Sequence, residues 1–369
     1  MPEYSALKAN SKLPDPFLKL DGSRIKNKSE WACRREEIRQ QLIKYVFGEK
    51  PIPAKGSVTG TVSTTKISVK VSEGGKSCSF DVTVNMNGAT QPAPAIISYG
   101  AGASAPTGVA KITFTAIEGG SGAKNGPFYT FYGSNHPAGY LIAQAWQISR
   151  IIDLLEQNPG IIDPYRIAVT GCSRNGKGAF IGGVLDNRIA LTIPVESGIG
   201  GTVALRLVEQ LDPKGEWPYH AISYVRWLSE VALGKFTTGN NANADNTDRL
   251  PVDIHSAMAL IAPQGLYIVD NPSGNYAGLD ARSAWVTGNA GKAIFEALGV
   301  GDHFAYEGAS GSHCQWRTQY NASLNAMIDK FLKGNKSVNT GKVNTDLGNK
   351  PDPKQYYDWD ATELPGELW

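Results

Sequence analysis

The sequence has almost no excess charge and no long apolar run, and each shortage excludes a class of protein. Lys and Arg total 36 against 34 Asp and Glu, so the formal net charge is +2. Nucleic acid is therefore a poor candidate partner, because binding a polyanion relies on an excess of positive charge. No apolar stretch approaches the roughly 20 residues that a membrane-spanning helix needs. We therefore expect no membrane segment.

Cysteine is also scarce, with four residues that lack the CxxC spacing typical of zinc sites. An even number without that spacing favours two disulfides, and four buried thiols of a cytosolic protein are the alternative. The sequence also lacks a metalloprotease HExxH motif, so we predict no metal and no cofactor. Three N-glycosylation sequons, beginning at Asn27, Asn321 and Asn335, add support for a secreted, extracellular glycoprotein. The cysteines are Cys33, Cys78, Cys172 and Cys314.

The order of the predicted elements indicates an α/β protein. Apolar and polar residues alternate between 56 and 87, which predicts antiparallel strands joined at Gly74-Gly75. Further along, short apolar runs such as 166–170 alternate with helical periodicity such as 138–157. This alternation predicts a mostly parallel sheet with helices on both faces and antiparallel N-terminal edge strands. No linker or repeat is visible, so we expect one domain over residues 1–369, with the C-terminal aromatics packed on its body.

A serine stands between a predicted strand and a predicted helix, in the string Gly171-Cys172-Ser173-Arg174-Asn175-Gly176. Such a turn exposes the hydroxyl above the sheet edge, and the helix start offers N–H groups to an oxyanion. The second glycine comes one position later than in the usual GxSxG elbow. A glycine-rich turn with a capping serine is therefore the alternative.

Two cations follow this serine in the first helical turn, where the helix dipole disfavours positive charge. Positive charge at an unfavourable position beside a candidate nucleophile suggests that these residues have a function. Arg174 is a candidate for stabilising an oxyanion, and Lys177 for donating to a hydroxyl-rich ligand. The alternative is an ion pair with a nearby carboxylate.

A catalytic serine also needs an acid and a histidine, which follow it along the chain in α/β hydrolases. Glu196 and Asp270 each end a predicted strand, and the residues alone do not separate them. Among the five histidines, only His303 and His313 lie late enough. His136 either lines the site or caps a turn.

The positions of two cysteines favour His313 over His303 as the base. Cys172 directly precedes Ser173, and Cys314 directly follows His313. If the serine and the histidine lie within hydrogen-bond reach, these cysteines are neighbours. A disulfide would then join the nucleophile loop to the base loop.

The string GCSRNGKGA at residues 171–179 is highly specific, and further characteristic stretches lie at 13–17, 31–35, 131–136, 193–198, 260–263 and 313–314. Through them the chain resembles the fungal glucuronoyl esterases, carbohydrate esterase family 15. The resemblance implies an α/β-hydrolase three-layer sandwich with 4-O-methyl-glucuronoyl methylesterase activity. The substrate would be the ester between 4-O-methyl-D-glucuronic acid of glucuronoxylan and lignin alcohols. A monomer acting on such lignin–carbohydrate esters is expected.

The resemblance also implies roles for individual residues. It makes Ser173 the nucleophile, Glu196 the acid and His313 the base. Arg174 would stabilise the oxyanion, and Lys177 would contact the sugar. The implied disulfides are Cys33–Cys78 and Cys172–Cys314.

The positions that bind the sugar depart from the family pattern. Tyr219 and Trp227 stand where the family has a Gln and a Glu that bind uronate hydroxyls, and Tyr276 replaces a tryptophan that packs on the sugar. Two rival functions therefore remain. One is an esterase acting on acetyl or feruloyl xylan, and the other is a non-catalytic relative that binds xylan.

Overall fold

A ten-stranded sheet with helices on both faces forms the body of the protein. The computed structural model describes residues 1–114, 123–213, 215–216, 218, 221, 226–232, 247–272 and 280–368. Its strands are β1 (Val58–Val62), β2 (Lys66–Glu73), β3 (Lys76–Asn85), β4 (Ala93–Tyr99), β5 (Ala110–Phe114), β6 (Ile162–Cys172), β7 (Leu191–Val195), β8 (Gly265–Asp270), β9 (Phe304–Gly308) and β10 (Val343–Thr345). They lie in the order β1-β2-β3-β5-β4-β6-β7-β8-β9-β10.

The sheet has an antiparallel edge and a parallel centre, as predicted. The pairs β1–β2, β2–β3 and β3–β5 are antiparallel, whereas the pairs from β5–β4 through β9–β10 are parallel. Side chains of β2 alternate between buried and exposed, while β4, β7, β8 and β9 are buried throughout. This difference follows from covering the parallel strands on both faces. The short strands β5 and β10 were not predicted.

Helices cover the two faces through separate hydrophobic clusters. One face of the sheet packs on α8 (Asn321–Phe331). The other face packs on α3 (Tyr140–Gln157), α4 (Arg174–Leu185) and α7 (Ala281–Ala297). The apolar pattern predicts a helix from Ala290 to Leu298. Helix α7 (Ala281–Ala297) begins nine residues earlier, within a stretch of weak apolar periodicity. In the described ranges no helix is long and apolar enough to cross a membrane. The helices are α1 (Trp31–Leu42), α2 (Pro127–Tyr132), α3 (Tyr140–Gln157), α4 (Arg174–Leu185), α5 (Val208–Leu211), α6 (Ile254–Ala259), α7 (Ala281–Ala297) and α8 (Asn321–Phe331).

The predicted disulfide between Cys33 and Cys78 is wrong. Both residues are thiols: Cys33 is exposed on α1, and Cys78 is buried in β3. Helix α1 packs on α6 and on Ile43–Phe47, whereas β3 packs on α2. A disulfide needs Cα atoms within about 7 Å and Cβ vectors that point toward each other. The two cysteines lie on elements with different packing neighbours.

The C-terminal segment returns to the body of the protein, as expected from its aromatic residues. Trp359 is buried and meets Phe17 edge-on, with ring centroids 6.0 Å apart. Tyr357 stacks on the same indole at 4.5 Å. The two ends of the chain therefore share one apolar contact.

Candidate active site

Ser173 lies on a strained turn between β6 and α4. Its φ is +59°, a value that residues other than glycine adopt rarely and mainly where the structure enforces it. A Cβ at Gly171 would lie 2.4 Å from the Asn175 carbonyl oxygen, and one at Gly176 would lie 2.6 Å from the Val195 carbonyl oxygen. The serine side chain makes no capping hydrogen bond. The turn therefore has the backbone geometry of a nucleophile elbow and not that of a capped helix start.

Backbone hydrogen bonds align the carboxyl ends of neighbouring strands around this elbow. The Ser173 N–H donates to the Val195 carbonyl at 2.9 Å, and the Glu196 N–H donates to the Val269 carbonyl at 2.7 Å. Because carboxyl ends of parallel strands meet at one edge, the residues that follow them converge there. This edge holds the predicted serine and acid.

Glu196 and His313 form a direct hydrogen-bonded pair. The distance from His313 Nδ1 to Glu196 Oε2 is 2.6 Å. The Cys314 N–H donates to the same carboxylate oxygen at 3.0 Å. Glu196 is 0% exposed, and a charge-assisted bond is strengthened in such a water-free setting. Because Nδ1 bonds to the carboxylate, Nε2 is the ring nitrogen that would serve the base role predicted from the sequence.

The Cys172–Cys314 disulfide joins the elbow to the loop that carries His313, which confirms its prediction. The Cα atoms of the two cysteines lie 5.6 Å apart across 142 positions of sequence. Because consecutive Cα atoms are about 3.8 Å apart, the Cα atoms of Ser173 and His313 are separated by at most about 13 Å. The nucleophile and base predicted from sequence therefore share one site.

Asp270, the second candidate acid, has other partners. Its Oδ2 accepts from the Tyr306 hydroxyl at 2.9 Å, and its Oδ1 accepts from the Asn271 N–H at 2.9 Å. Burial raises the pKa of Asp270 to about 6, and the nearby Glu196 charge adds to this shift. The contact with His313 thus belongs to Glu196.

The other candidate histidines do not join the pair. His303 precedes β9, at the opposite end of the strand from the elbow, and bonds to the Pro263 carbonyl. His136 Nδ1 accepts from the Ala138 N–H at 3.1 Å, which is the turn-capping alternative for that residue.

Lys177 is buried one turn after Ser173, and its ammonium group has three partners. It donates to the Ile199 carbonyl at 2.8 Å and to Glu216 Oε2 at 2.8 Å, and it lies 4.2 Å from the centre of the Trp227 ring. An ammonium has three N–H donors, so these contacts occupy it. The ion-pair alternative for Lys177 is the one found, and its side chain is only 1% exposed.

The partner of this lysine, Glu216, was not predicted. It lies in an irregular section where no periodicity or motif marks it, and its side chain is 27% exposed. Its N–H donates to Asp280 Oδ1 at 2.9 Å. Burial and the Glu216 charge raise the pKa of Asp280 well above its usual range. Lys177 is thus the cation that balances this acidic group.

The remaining predicted residues have different outcomes. Trp227 lies beside Lys177, as described, and Arg174 is the half-buried first residue of α4. Tyr219 and Tyr276 lie outside the described residues.

Two residues near the pair had no recognisable signal in the sequence. Asn271 donates through Nδ2 to the Gly311 carbonyl at 2.9 Å and accepts from the Gly311 N–H at 3.2 Å. Arg317 Nη1 lies 3.8 Å from Glu196 Oε1. Asn271 directly follows the end of β8, and Arg317 follows His313 closely along the chain. Neither position carries a motif that would have marked it in advance.

Four side chains of the site lie close enough together to resemble a metal centre. Candidate ligand atoms of Cys172, Glu196, His313 and Cys314 lie within 4.8 Å of one another. Cysteine binds metals as a thiolate, and both sulfurs here belong to the disulfide. This donor set therefore does not fit a metal ion.

Comparisons with known proteins agree on one family. A family model described as "Glucuronyl esterase, fungi" matches residues 69–299. The 4-O-methyl-glucuronoyl methylesterase of Hypocrea jecorina is 37% identical, over 99% of this chain and 78% of that protein. The protein of the same name from Schizophyllum commune is 40% identical, over 88% of this chain and 84% of that protein.

Solved structures give the same result. The glucuronoyl esterase catalytic domain from Hypocrea jecorina superposes with a TM-score of 0.88 at 34% identity, covering 99% of this chain and 100% of that one. A mutant glucuronoyl esterase from Sporotrichum thermophile, in complex with methyl 4-O-methyl-beta-D-glucopyranuronate, superposes with a TM-score of 0.85 at 36% identity. That match covers 95% of this chain and 94% of the other.

Proposed function

The chain belongs to the fungal glucuronyl esterase family and is a glucuronoyl esterase, and we propose that it cleaves 4-O-methyl-D-glucuronoyl esters between glucuronoxylan and lignin alcohols. The observation that supports this reaction most strongly is the buried Glu196–His313 pair beside the Ser173 elbow. In this proposal Ser173 is the nucleophile, His313 the base and Glu196 the acid.

The first step forms an acyl-enzyme. His313 Nε2 removes the proton of Ser173 Oγ while the oxygen attacks the carbonyl carbon of the uronoyl ester. The Glu196 carboxylate holds the imidazole by Nδ1 and stabilises the imidazolium that forms. The ester C–O bond then breaks, and the imidazolium returns its proton to the leaving alcohol.

The second step releases the uronic acid. Water gives a proton to His313 and attacks the acyl carbon, and Ser173 Oγ leaves with the proton that the imidazolium returns. In both steps the oxyanion accepts from N–H groups at the start of α4 and from Arg174. Loss of one such donor typically lowers transition-state stabilisation by about 2.7–4 kcal/mol.

Residues beside the elbow would hold the sugar. We assign the Trp227 ring to apolar contact with the uronate and the Lys177–Glu216 pair to its hydroxyl groups, because Glu216 keeps part of its carboxylate exposed. Tyr219 and Tyr276 stay candidates for the same surface. The substrate would therefore contact the Lys177–Glu216 pair, which has no net charge, and not an unpaired lysine ammonium.

The wider setting is also a proposal. A disulfide at the site suits a protein that acts outside the cell, as do the three sequons. One continuous sheet supports a single catalytic domain over residues 1–369. We propose that this domain works as a monomer on lignin–carbohydrate esters.

Replacing Ser173 by alanine tests the nucleophile. We expect Ser173→Ala to lower kcat on benzyl D-glucuronate by at least about 10⁴-fold, because the triad acts as a unit. Ser310→Ala is the control: this hydroxyl lies on the base loop but bonds to Asp346, so activity should persist. Activity of Ser173→Ala close to that of the unmodified protein would contradict the mechanism.

The same assay separates the rival functions. Rates on benzyl glucuronate should exceed those on acetylated xylan and on methyl ferulate. A higher rate on either of the latter esters would assign the other esterase activity. A serine-reactive phosphonate should label Ser173. A non-catalytic xylan-binding protein needs no reactive serine, so an absence of labelling would favour that function.

A further inference from the structure

The two carboxylate oxygens of Glu196, the acid of the proposed triad, differ in their hydrogen-bond donors. Glu196 Oε2 receives hydrogen bonds from His313 and from the Cys314 N–H, with Asn271 Nδ2 also 3.5 Å away. Oε1 is buried and has no hydrogen-bond partner among the described residues. A buried carboxylate oxygen without a donor destabilises the ionised form unless a positive charge lies nearby.

The guanidinium of Arg317 supplies that charge. Its Nη1 lies 3.8 Å from Glu196 Oε1, and its side chain is 13% exposed. This distance is too long for a hydrogen bond but short enough for a strong charge interaction in a water-poor site. This guanidinium therefore faces the oxygen that lacks a donor.

Arg317 is also tied to the loop that carries His313. Its Nη1 donates to the Tyr320 hydroxyl at 3.1 Å, and its Nη2 donates to the Ser312 carbonyl at 3.4 Å. A side chain at Gly311 would begin 2.6 Å from the Arg317 Nε, so the guanidinium lies directly against this loop. One side chain thus contacts the base loop and faces the acid.

The other charged groups around Glu196 make this cation more important. His313 shares the loop, and Asp270 ends the neighbouring strand β8. Burial raises the pKa of Asp270 to about 6, so near neutral pH it adds a second negative charge beside Glu196. Arg174 begins α4 beside the nucleophile. Arg317 forms an ion-pair contact with Glu196 on the oxygen that has no hydrogen-bond donor among the described residues.

We infer that Arg317 is a positioning residue, which places a positive charge beside the Glu196 oxygen that lacks a donor and holds the His313 loop against the acid. It touches no reacting atom and acts through Glu196 and His313. The inference therefore rests on the roles proposed for that pair.

Two variants with different charge test this inference. Arg317→Met keeps the apolar length and removes the charge and the donors, and Arg317→Lys keeps the charge. We expect Arg317→Met to lower kcat/KM on benzyl glucuronate about tenfold or more, and Arg317→Lys to restore at least about a third of the loss on a logarithmic scale. Arg39→Met, which removes an exposed Arg–Glu pair on α1, is the matched control.

A split between kcat and KM separates positioning from a purely structural role. Arg317 contacts no substrate in this proposal, so Arg317→Met should lower kcat while KM stays within about twofold of the unmodified protein. Arg317→Lys keeps the charge and should restore part of kcat, which a role in packing alone would not give. A loss confined to KM, no rescue by Arg317→Lys, or activity within twofold of the unmodified protein would overturn the inference.

The failure of this inference can be told from the failure of the proposed function. If Ser173→Ala and His313→Ala stay active, the triad itself is wrong. If both are inactive while Arg317→Met behaves like Arg39→Met, only the role of Arg317 is refuted. Circular dichroism and thermal unfolding of each variant show that the chain is folded.

Discussion

Two buried carboxylates end neighbouring strands, and their partners decide what each one does. Glu196 bonds to His313 and to a backbone N–H, and it faces Arg317. Asp270 bonds to the Tyr306 hydroxyl and to one backbone N–H. Of two carboxylates at the same sheet edge, one therefore bonds to the histidine proposed as the base, and the other is buried with a raised pKa.

The raised pKa of Asp270 predicts how stability depends on pH. The folded state holds this proton up to about pH 6, whereas an unfolded aspartate loses it near pH 4. The folded state binds more protons between these values, so this group makes stability fall as pH rises from about 4 to 6. Asp270→Asn should remove this fall, on the order of 2 kcal/mol, in urea unfolding at pH 4, 5, 6 and 7.

The control for this experiment is a carboxylate at the surface. Asp329 is partly exposed and pairs with Lys333 on the outside of α8. Asp329→Asn should leave the pH dependence close to that of the unmodified protein. Parallel stability curves for Asp270→Asn and the unmodified protein would contradict the prediction.

At the scale of elements, the site depends on how β6, β7 and the loop after β9 are held together. Hydrogen bonds between strand ends align β6 with β7, but the loop with His313 leaves the sheet. The Cys172–Cys314 disulfide and the Glu196–His313 bond return it to the elbow. The disulfide is therefore part of the positioning of the base, besides any effect on the unfolded chain.

Removing this disulfide should lower both stability and activity. We expect Cys172→Ala/Cys314→Ala to destabilise the fold by about 2–4 kcal/mol, because the bridge closes a long loop. It should also lower kcat on benzyl glucuronate about tenfold or more, since the base loop is less constrained. Thermal unfolding and steady-state kinetics measure the two effects, and Cys33→Ser, an exposed thiol on α1, is the control.

A thiol titration of the same protein checks the disulfide pattern. Cys33 and Cys78 are thiols in the structure, so the unfolded, unreduced chain should react with two equivalents of Ellman's reagent. No reactive thiol would show that the rejected Cys33–Cys78 bridge forms after all. Four reactive thiols would show that the Cys172–Cys314 bridge does not.

At the scale of the whole molecule, the two ends of the chain close over one corner of the core. Trp359 packs on Phe17 and Tyr357, and its ring also stacks with the buried His255 at 6.1 Å. The contact with Phe17 joins residues more than 340 positions apart in the sequence. The C-terminal segment therefore contributes to the stability of the core that these rings share.

Replacing Trp359 by alanine should destabilise the protein without changing the chemistry. We expect a loss of about 2–4 kcal/mol in the free energy of unfolding, because a large aromatic side chain leaves a cavity. The KM and kcat of the folded variant should stay unchanged. Tyr165→Ala is the control, since that tyrosine is 75% exposed. Equal stability of both variants would show that the tail contributes nothing to the core.

Much of the fold was readable in the sequence because it depends on local patterns. Alternation marked β2 and β3, buried runs marked the parallel strands, and 3.6-residue periodicity marked α3. The nucleophile turn was equally local, since Gly171, Ser173 and Gly176 lie within six positions. The early start of α7 was missed because its first residues give little apolar periodicity.

Sequence alone determined the elbow, the class of the fold and the short list of bases and acids. Only the tertiary structure showed that Glu196 bonds to His313, rejected the Cys33–Cys78 bridge, and paired Lys177 with Glu216. It also placed Arg317 beside the acid. These contacts join residues far apart along the chain, so their energies depend on which strand ends and loops share an edge, and no local pattern records that arrangement.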